Sequence, residues 1–249
     1  MKLLIDSGNS RIKWALIDGK DWARRGVLPV ARVDELSQHI AGHCGELGIS
    51  LRGIEQVWVS NVANEKAMNC IRNAVMNTGG KLHVVEAQQE QCGVRNGYTR
   101  PSQLGSDRWA SLIAAWHLVQ GECLVVNCGT ATTIDALSGL GEFSGGLILP
   151  GVDMMLGSLS AASNRLQPGR GQYVPFPRNT ADAMYSGAIQ ASCGAIQRQH
   201  ALLSKNSAPV VLSGGAAALL QGHLLMPLKI AENLVLQGLL IIAQEASEA

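Results

Sequence analysis

Leu3-Leu4-Ile5-Asp6-Ser7-Gly8-Asn9-Ser10 opens the chain, and Leu124-Val125-Val126-Asn127-Cys128-Gly129-Thr130-Ala131 repeats its pattern near the middle. In each, three apolar residues lead to a side-chain oxygen, a small residue, a glycine and a further polar residue. A second apolar stretch follows each turn and is expected to end at an acid, Asp18 in the first copy and Asp135 in the second. An apolar run broken by a Gly/Asn turn and then resumed is the signature of a β-hairpin. Chance similarity over eight residues is one reading; a duplicated fold, with two related halves facing a shared cleft, is the better one.

Outward from these hairpins the pattern is that of layered α/β structure. Residues 33–48 and 64–77 have helical periodicity and flank a predicted strand at 56–60, with another strand at 81–86. Residues 88–106 read as an irregular loop, because they hold Gly93, Gly97, Pro101 and Gly105. Ser106 is a plausible cap for a helix reaching about residue 119. Beyond the second hairpin come a strand at 142–149, a helix after Pro150, and a long helix over 180–203. A strand at 210–213 then ends in Gly214-Gly215, and a terminal helix starts near residue 228. The division expected from the repeat is an N-terminal half over residues 1–117 and a C-terminal half over residues 118–249.

Composition excludes several classes. Glycine is 28 of 249 residues, about 11 % against the usual ~7 %, with no three-residue period and no low-complexity tract, which rules out collagen and disorder. A net charge of +1 offers no general attraction for nucleic acid or an anionic membrane. The apolar N-terminal run is too short for a signal peptide. The uncharged stretch 206–228 is long enough to span a bilayer, but its prolines, glycines, Gln221 and His223 argue against a membrane span. Six cysteines without a CxxC pair read as reduced and mostly buried small hydrophobes. These features together point to a cytoplasmic protein.

The charge is unevenly placed. Nine charged residues fall among the 106 of 123–228, against thirty among the other 143. Either that half is more deeply buried, or a second copy of the chain covers it; the second reading is preferred, because homodimer interfaces are depleted in charge.

Glycine after an apolar strand lets backbone N–H groups approach an anion with no Cβ in the way. Asn9-Ser10 and Thr130-Ala131-Thr132-Thr133 add side-chain donors at the same places, and Gly214-Gly215 ends a third strand. The chain has no G-x-x-x-x-G-K-[ST] loop and no G-x-G-x-x-G after a strand, so any phosphate site is of the hairpin-turn type. No G-x-S-x-G element supports a serine hydrolase. His39 and His43 have the spacing of a helical zinc pair but no evident third ligand, which favours ordinary surface histidines.

At this point the residues carry a resemblance. Asp6-x-Gly8-Asn9-Ser10, Gly129-Thr130 and Ser213-Gly214-Gly215 look like the two phosphate motifs and the adenosine motif of the actin–Hsp70–sugar-kinase superfamily. More narrowly, the chain resembles type III pantothenate kinase, through Gly105-Ser106-Asp107-Arg108, Gly129-Thr130-Ala131-Thr132-Thr133-Ile134-Asp135 and Gly145-Gly146-x-x-x-Pro150-Gly151-x-x-x-Met155. The match continues through Asn179-Thr180-x-Asp182-Ala183-Met184-x-Ser186-Gly187 to Leu234-x-Leu236-x-Gly238-Leu239. These blocks cover nearly the whole chain.

The resemblance implies an α/β fold of two RNase H-like (actin-like ATPase) halves around an interdomain cleft, with a duplicated mixed β-sheet and flanking helices. It implies ATP-dependent phosphorylation of pantothenate to 4'-phosphopantothenate, the first step of coenzyme A biosynthesis. It also implies Mg²⁺ with ATP, a monovalent cation (K⁺ or NH₄⁺), and a homodimer formed through the C-terminal half.

Residue by residue, Asp107 matches the general base that receives the hydroxyl proton; its plain alternative is an acid favouring the helix N-terminus. Arg108 matches a contact to the pantothenate carboxylate, for which a guanidinium fork is suited. Gly105 and Tyr98 match the same substrate pocket, and Thr180 matches a substrate contact at the dimer boundary, its alternative being a helix cap. Asp6 matches the carboxylate that holds Mg²⁺ or its waters. Gly8, Asn9, Ser10, Gly129, Thr130, Thr132, Gly214 and Gly215 match the ATP site. Lys13 is assigned no role, because its strand's alternation could equally point it to solvent.

One position departs from the family. Asn127 stands where an aspartate associated with the monovalent cation is usual; it offers a carbonyl oxygen and no charge. The departure bears on the cation more than on catalysis, and it motivates the alternative of a non-catalytic nucleotide- or metabolite-binding relative with a regulatory or accessory role.

Overall fold

The structure is a computed structural model that describes residues 1–162 and 171–248. The chain runs β1 (Lys2–Ser7), β2 (Arg11–Asp18), β3 (Asp21–Pro29), α1 (Leu36–Glu46), β4 (Gln56–Asn61), α2 (Glu65–Met76) and β5 (Lys81–Val84). The short strands β6 (Glu90–Gln91) and β7 (Val94–Asn96) precede α3 (Ser106–Val119). Then come β8 (Cys123–Cys128), β9 (Ala131–Leu137), β10 (Glu142–Pro150), α4 (Val152–Ala162), α5 (Thr180–His200), β11 (Val210–Ser213), α6 (Ala217–Gln221), β12 (Leu228–Ile230) and α7 (Leu234–Glu248).

The first strands form the expected hairpin. β1 and β2 pair antiparallel up to Ser7 and Ile12, and the N–H of Gly8 donates to the Arg11 carbonyl at 3.1 Å to close the turn. The sheet order is β3-β2-β1-β4-β5, with β4 parallel to β1 and β5 parallel to β4. In the second half β8 and β9 form the matching hairpin, and the order β10-β9-β8-β11-β12 repeats the first plan strand for strand. The duplication expected from eight residues thus extends over five strands.

Each half has its own core. Leu3, Ile5, Ile12 and Trp14 pack against Leu36, Ile40 and Cys44 of α1 and against Met68, Ile71 and Val75 of α2. The apolar positions of α2 recur at helical spacing, and Asn64 caps it by accepting the Ala67 N–H at 3.0 Å. In the second half Leu124, Val126 and Ile134 pack against Ile189, Cys193 and Ile196 of α5.

Two compact units result, residues 1–114 with 234–249, and residues 115–233. The sequence division at 117/118 differs from this mainly at the C-terminus, because α7 packs on β1 and β4 of the first unit. Gly238 of α7 faces the backbone of Ala110 on α3, and a side chain there would collide with it.

Three other expectations change. Asp135 does not end its strand: β9 continues to Leu137 and holds Asp135 fully buried opposite Val125. The expected loop at 88–106 contains the β6–β7 hairpin. Residues 228–230 form β12 beside β11 rather than a helical turn, and α7 begins six residues later. Strand β3 is missing from the sequence reading because Arg24, Arg25 and Gly26 interrupt its apolar pattern.

Candidate active site

In the first unit the end of β1 sets Asp6 opposite Lys13 on β2 and Ser60 on β4. Burial pushes the Asp6 carboxyl up to about 7; the Lys13 charge pulls the other way, and the nearby Asp107 charge adds to the rise. Lys13 is therefore part of this site. Counting back across the hairpin turn would have placed it opposite Asp6, a register argument that strand alternation alone does not supply.

Asp107 lies in the first turn of α3. Burial raises its carboxyl above the usual range, opposed by the Arg108 N–H, which donates to Oδ1 at 2.8 Å, and by the Arg108 charge. A Cβ on Gly105 would lie 2.6 Å from Asp107 Oδ1, so glycine leaves the space this carboxylate occupies. The Ser106 hydroxyl, expected to cap the helix, instead bonds to the Ser60 hydroxyl at 2.9 Å, while the Gly105 carbonyl accepts the first helical N–H, from Trp109. Ser60 thus ties the strand beside Asp6 to the helix bearing Asp107, and no sequence signal marked it.

Arg108 is buried. It donates to the Tyr98 hydroxyl at 3.2 Å, and its guanidinium lies 5.8 Å from the centre of the Tyr98 ring. The Arg108 guanidinium is thus a planar cation held on an aromatic wall, next in the chain to a carboxyl of raised pKa, and its fork has the geometry to bind a carboxylate.

The hairpin tip offers side chains more than backbone. The Gly8 N–H is used within the turn, while Asn9 and Ser10 are exposed at the tip. A divalent cation would require hard oxygen donors, and the Asp6 carboxylate fits: it is buried beside the like charge of Asp107, which a cation would offset. Two other buried oxygens, Ser7 Oγ and Asn61 Oδ1, have no partner among the described residues, but they sit on register-paired positions that strand alternation turns to the opposite face of the sheet from Asp6.

The second unit gathers the other residues. The Gly129 N–H closes its own turn on the Ala131 carbonyl at 3.0 Å. Thr130 is exposed at the tip, whereas Thr132 is buried beneath it. Gly214 has φ +100°, a conformation that disfavours other residues, and any Cβ there would strike the Cys128 backbone. The Ala216 N–H then donates to the Cys128 carbonyl at 3.1 Å, bringing the Gly214-Gly215 turn against the Gly129 turn. Asn127, half-buried, pairs in register with Thr133 and Ser213, and Thr133 Oγ1 has no partner among the described residues. Thr180 stands exposed at the start of α5, where Asn179 rather than Thr180 is the cap, accepting the Asp182 N–H at 2.9 Å.

His39 and His43 are taken up by a surface cluster: Trp14 donates to His39 at 3.2 Å, and Arg24 donates to His43 at 3.3 Å.

Comparison with known proteins shows the family and the fold. Residues 2–201 match the family profile described as type III pantothenate kinase. The chain is 45 % identical to the type III pantothenate kinase of Nitrosospira multiformis, over 99 % of this chain and 92 % of that one. It is 43 % identical to that of Aromatoleum aromaticum, over the full length of both. Among solved structures, the ethanolamine utilization protein EutJ of Carboxydothermus hydrogenoformans shares the fold at a TM-score of 0.58 and 15 % identity, over 97 % of this chain and 88 % of that one. The duplicated sheets, the acid-bearing hairpin and the Gly-Ser-Asp-Arg helix start therefore have one account: this chain belongs to the type III pantothenate kinase family.

Proposed function

We propose that the chain transfers the γ-phosphoryl group of ATP to the primary hydroxyl of pantothenate, giving 4'-phosphopantothenate at the first step of coenzyme A biosynthesis, with Asp107 as general base. The observation that carries this reading is the Asp107 carboxylate, raised by burial and set in the space that Gly105 leaves beside the Arg108–Tyr98 pair.

Arg108 holds the substrate carboxylate in bidentate fashion against the Tyr98 wall. That anchor brings the hydroxyl to Asp107, which takes its proton as the oxygen bonds to phosphorus and ADP departs. Mg²⁺, when bound, offsets charge on the transferring phosphates; Asp6 is the residue that would hold it or its waters, and Lys13 adds a positive charge opposite. In the first unit Asn9 and Ser10 are the outward groups for the nucleotide; in the second unit, taken by itself, Thr130 and Gly215 are likewise exposed.

The non-catalytic alternative is not favoured, because Asp6, Asp107 and Arg108 are all present in one unit. A monovalent cation at Asn127 would meet neutral oxygens only. A homodimer would cover Leu147 and Ile148 of β10 and Met154 and Leu159 of α4, which are exposed in the single chain beside a groove of about 310 Å³ lined by Met155, Met184 and Gly187. No described helix is long and apolar enough to cross a membrane; we place the enzyme in the cytoplasm, with its nucleotide.

The test is incubation of the purified chain with ATP, Mg²⁺ and pantothenate, with and without K⁺, reading phosphopantothenate by mass. Absence of product in every condition overturns the reading. Sedimentation at micromolar concentration tests the dimer, which a monomer alone would refute.

A further inference from the structure

Gln91 and Val94 pair across a two-residue hairpin whose turn is Cys92-Gly93. Both turn residues have positive φ, 50° at Cys92 and 78° at Gly93, the sign pattern of a type I′ turn. Asn-Gly or Asp-Gly is the usual choice there. A cysteine in the first position is strained by about 1 kcal/mol or more.

The compensation comes from the far end of the chain. Glu245 of α7 accepts the Cys92 N–H through Oε1 at 3.1 Å and the Cys92 thiol through Oε2, also at 3.1 Å. One carboxylate thus takes both donors of the strained residue. A second tie comes from α3, where Trp109 Nε1 donates to Gln91 Oε1 at 2.9 Å. The hairpin passes this restraint on: Gln89 Nε2 donates to the Asn96 carbonyl at 3.2 Å, Asn96 Nδ2 to the Pro101 carbonyl at 3.3 Å, and the Tyr98 N–H to Asn96 Oδ1 at 3.0 Å. Tyr98 is the ring that receives Arg108.

We infer that Glu245 is a positioning residue for substrate binding: by clamping the Cys92-Gly93 turn from α7, it fixes the β6–β7 hairpin and, through Asn96, the place of Tyr98 beside Arg108. The inference rests on the reading of Tyr98 and Arg108 as the pantothenate pocket. Asp107 is held separately, by the Ser60–Ser106 bond and the space at Gly105. Loss of the clamp therefore weakens substrate binding and spares the chemical step.

The experiment uses the full-length chain with Glu245→Ala, Glu245→Gln, and Glu245→Ala combined with Cys92→Asn. Glu245→Ala is expected to raise KM for pantothenate about tenfold while kcat and KM for ATP stay within about twofold. Glu245→Gln keeps one carbonyl acceptor and falls between. Cys92→Asn supplies a residue at ease with positive φ and restores KM toward that of the wild type. Hydrogen exchange is measured on the same proteins without substrate: amides over residues 92–98 exchange about tenfold faster in Glu245→Ala, and those of β1 and β4 are unchanged.

Unchanged exchange at 92–98 overturns the clamp. Faster exchange with normal KM for pantothenate overturns the link to substrate, as does a parallel loss of kcat and both KM values with a lowered melting point. If Glu245→Ala fails to fold, Glu245→Gln carries the same comparisons. Absence of pantothenate turnover by the wild type removes the substrate half of the proposal together with the functional reading, and exchange alone then decides the clamp.

Discussion

The hydroxyls of Ser60 and Ser106 meet at 2.9 Å inside the first unit, joining the strand that pairs with Asp6 to the first turn of the helix that carries Asp107. Ser60 is fully buried, so its hydroxyl has no solvent alternative. Ser60→Ala leaves the Ser106 hydroxyl without this partner and is expected to destabilise the chain by about 1–3 kcal/mol in urea unfolding. Because the bond seats the helix start, kcat should fall more than KM for either substrate. An unchanged unfolding midpoint would remove the bond from this role.

Asp107→Asn removes the proposed proton acceptor and keeps the shape. The expected loss in kcat is about 10²–10⁴-fold. Burial already disfavours the charged form of Asp107, so the neutral amide should melt no lower than the wild type. Full activity in this variant would take the base role away from Asp107.

The Asp6 carboxyl titrates near 3.8 in an unfolded chain and at about 7 in the fold. Between those values the folded protein keeps a proton that the unfolded chain has released. The contribution of this group to stability is therefore greatest at low pH, falls as pH rises from about 4 to about 7, and levels off above. Ligand-free Asp6→Asn lacks that decline. Its stability relative to the wild type should be higher at pH 8 than at pH 4.5 by thermal melting; an equal difference at both would show that Asp6 is not held protonated by the fold.

Gly214 combines a positive φ with a backbone contact at Cys128. Gly214→Ala is expected to cost more than about 2 kcal/mol and to weaken ATP binding, whereas Gly215→Ala, at an exposed neighbour, has the smaller effect. Paired melting curves and nucleotide titrations separate the two. Equal stability of both variants would contradict the close packing of the two turns.

Much of this was legible in the sequence, for definable reasons. A hairpin announces itself locally, through apolar runs and the Gly-Asn turn, so β1, β2 and their repeats were found. Asp107 and Arg108 are singled out by the contiguous Gly105-Ser106-Asp107-Arg108 block that carries the family resemblance, and their roles remain proposals. Lys13 and Ser60 were not singled out, since each joins the site only by pairing across strands, and register is a property of two segments at once. Asp135 was misplaced because a charged residue reads as a strand end, whereas β9 carries its acid fully buried. The Cys92-Gly93 turn was missed because its first position lacks the usual Asn or Asp, and what steadies it lies 153 residues away.

That the last helix packs on the first strands also orders events during synthesis. Residues 115–233 are contiguous, so the second unit can assemble as soon as its own chain has emerged. The first unit, though made earlier, lacks the covering of β1 and β4 opposite α1 and α2 until Leu234–Glu248 leave the ribosome. A nascent chain stopped at residue 233 should bind an apolar dye that the finished protein excludes. The oldest part of the polypeptide is thus the last to become native, because the helix that covers its strands is made after the whole of the second unit.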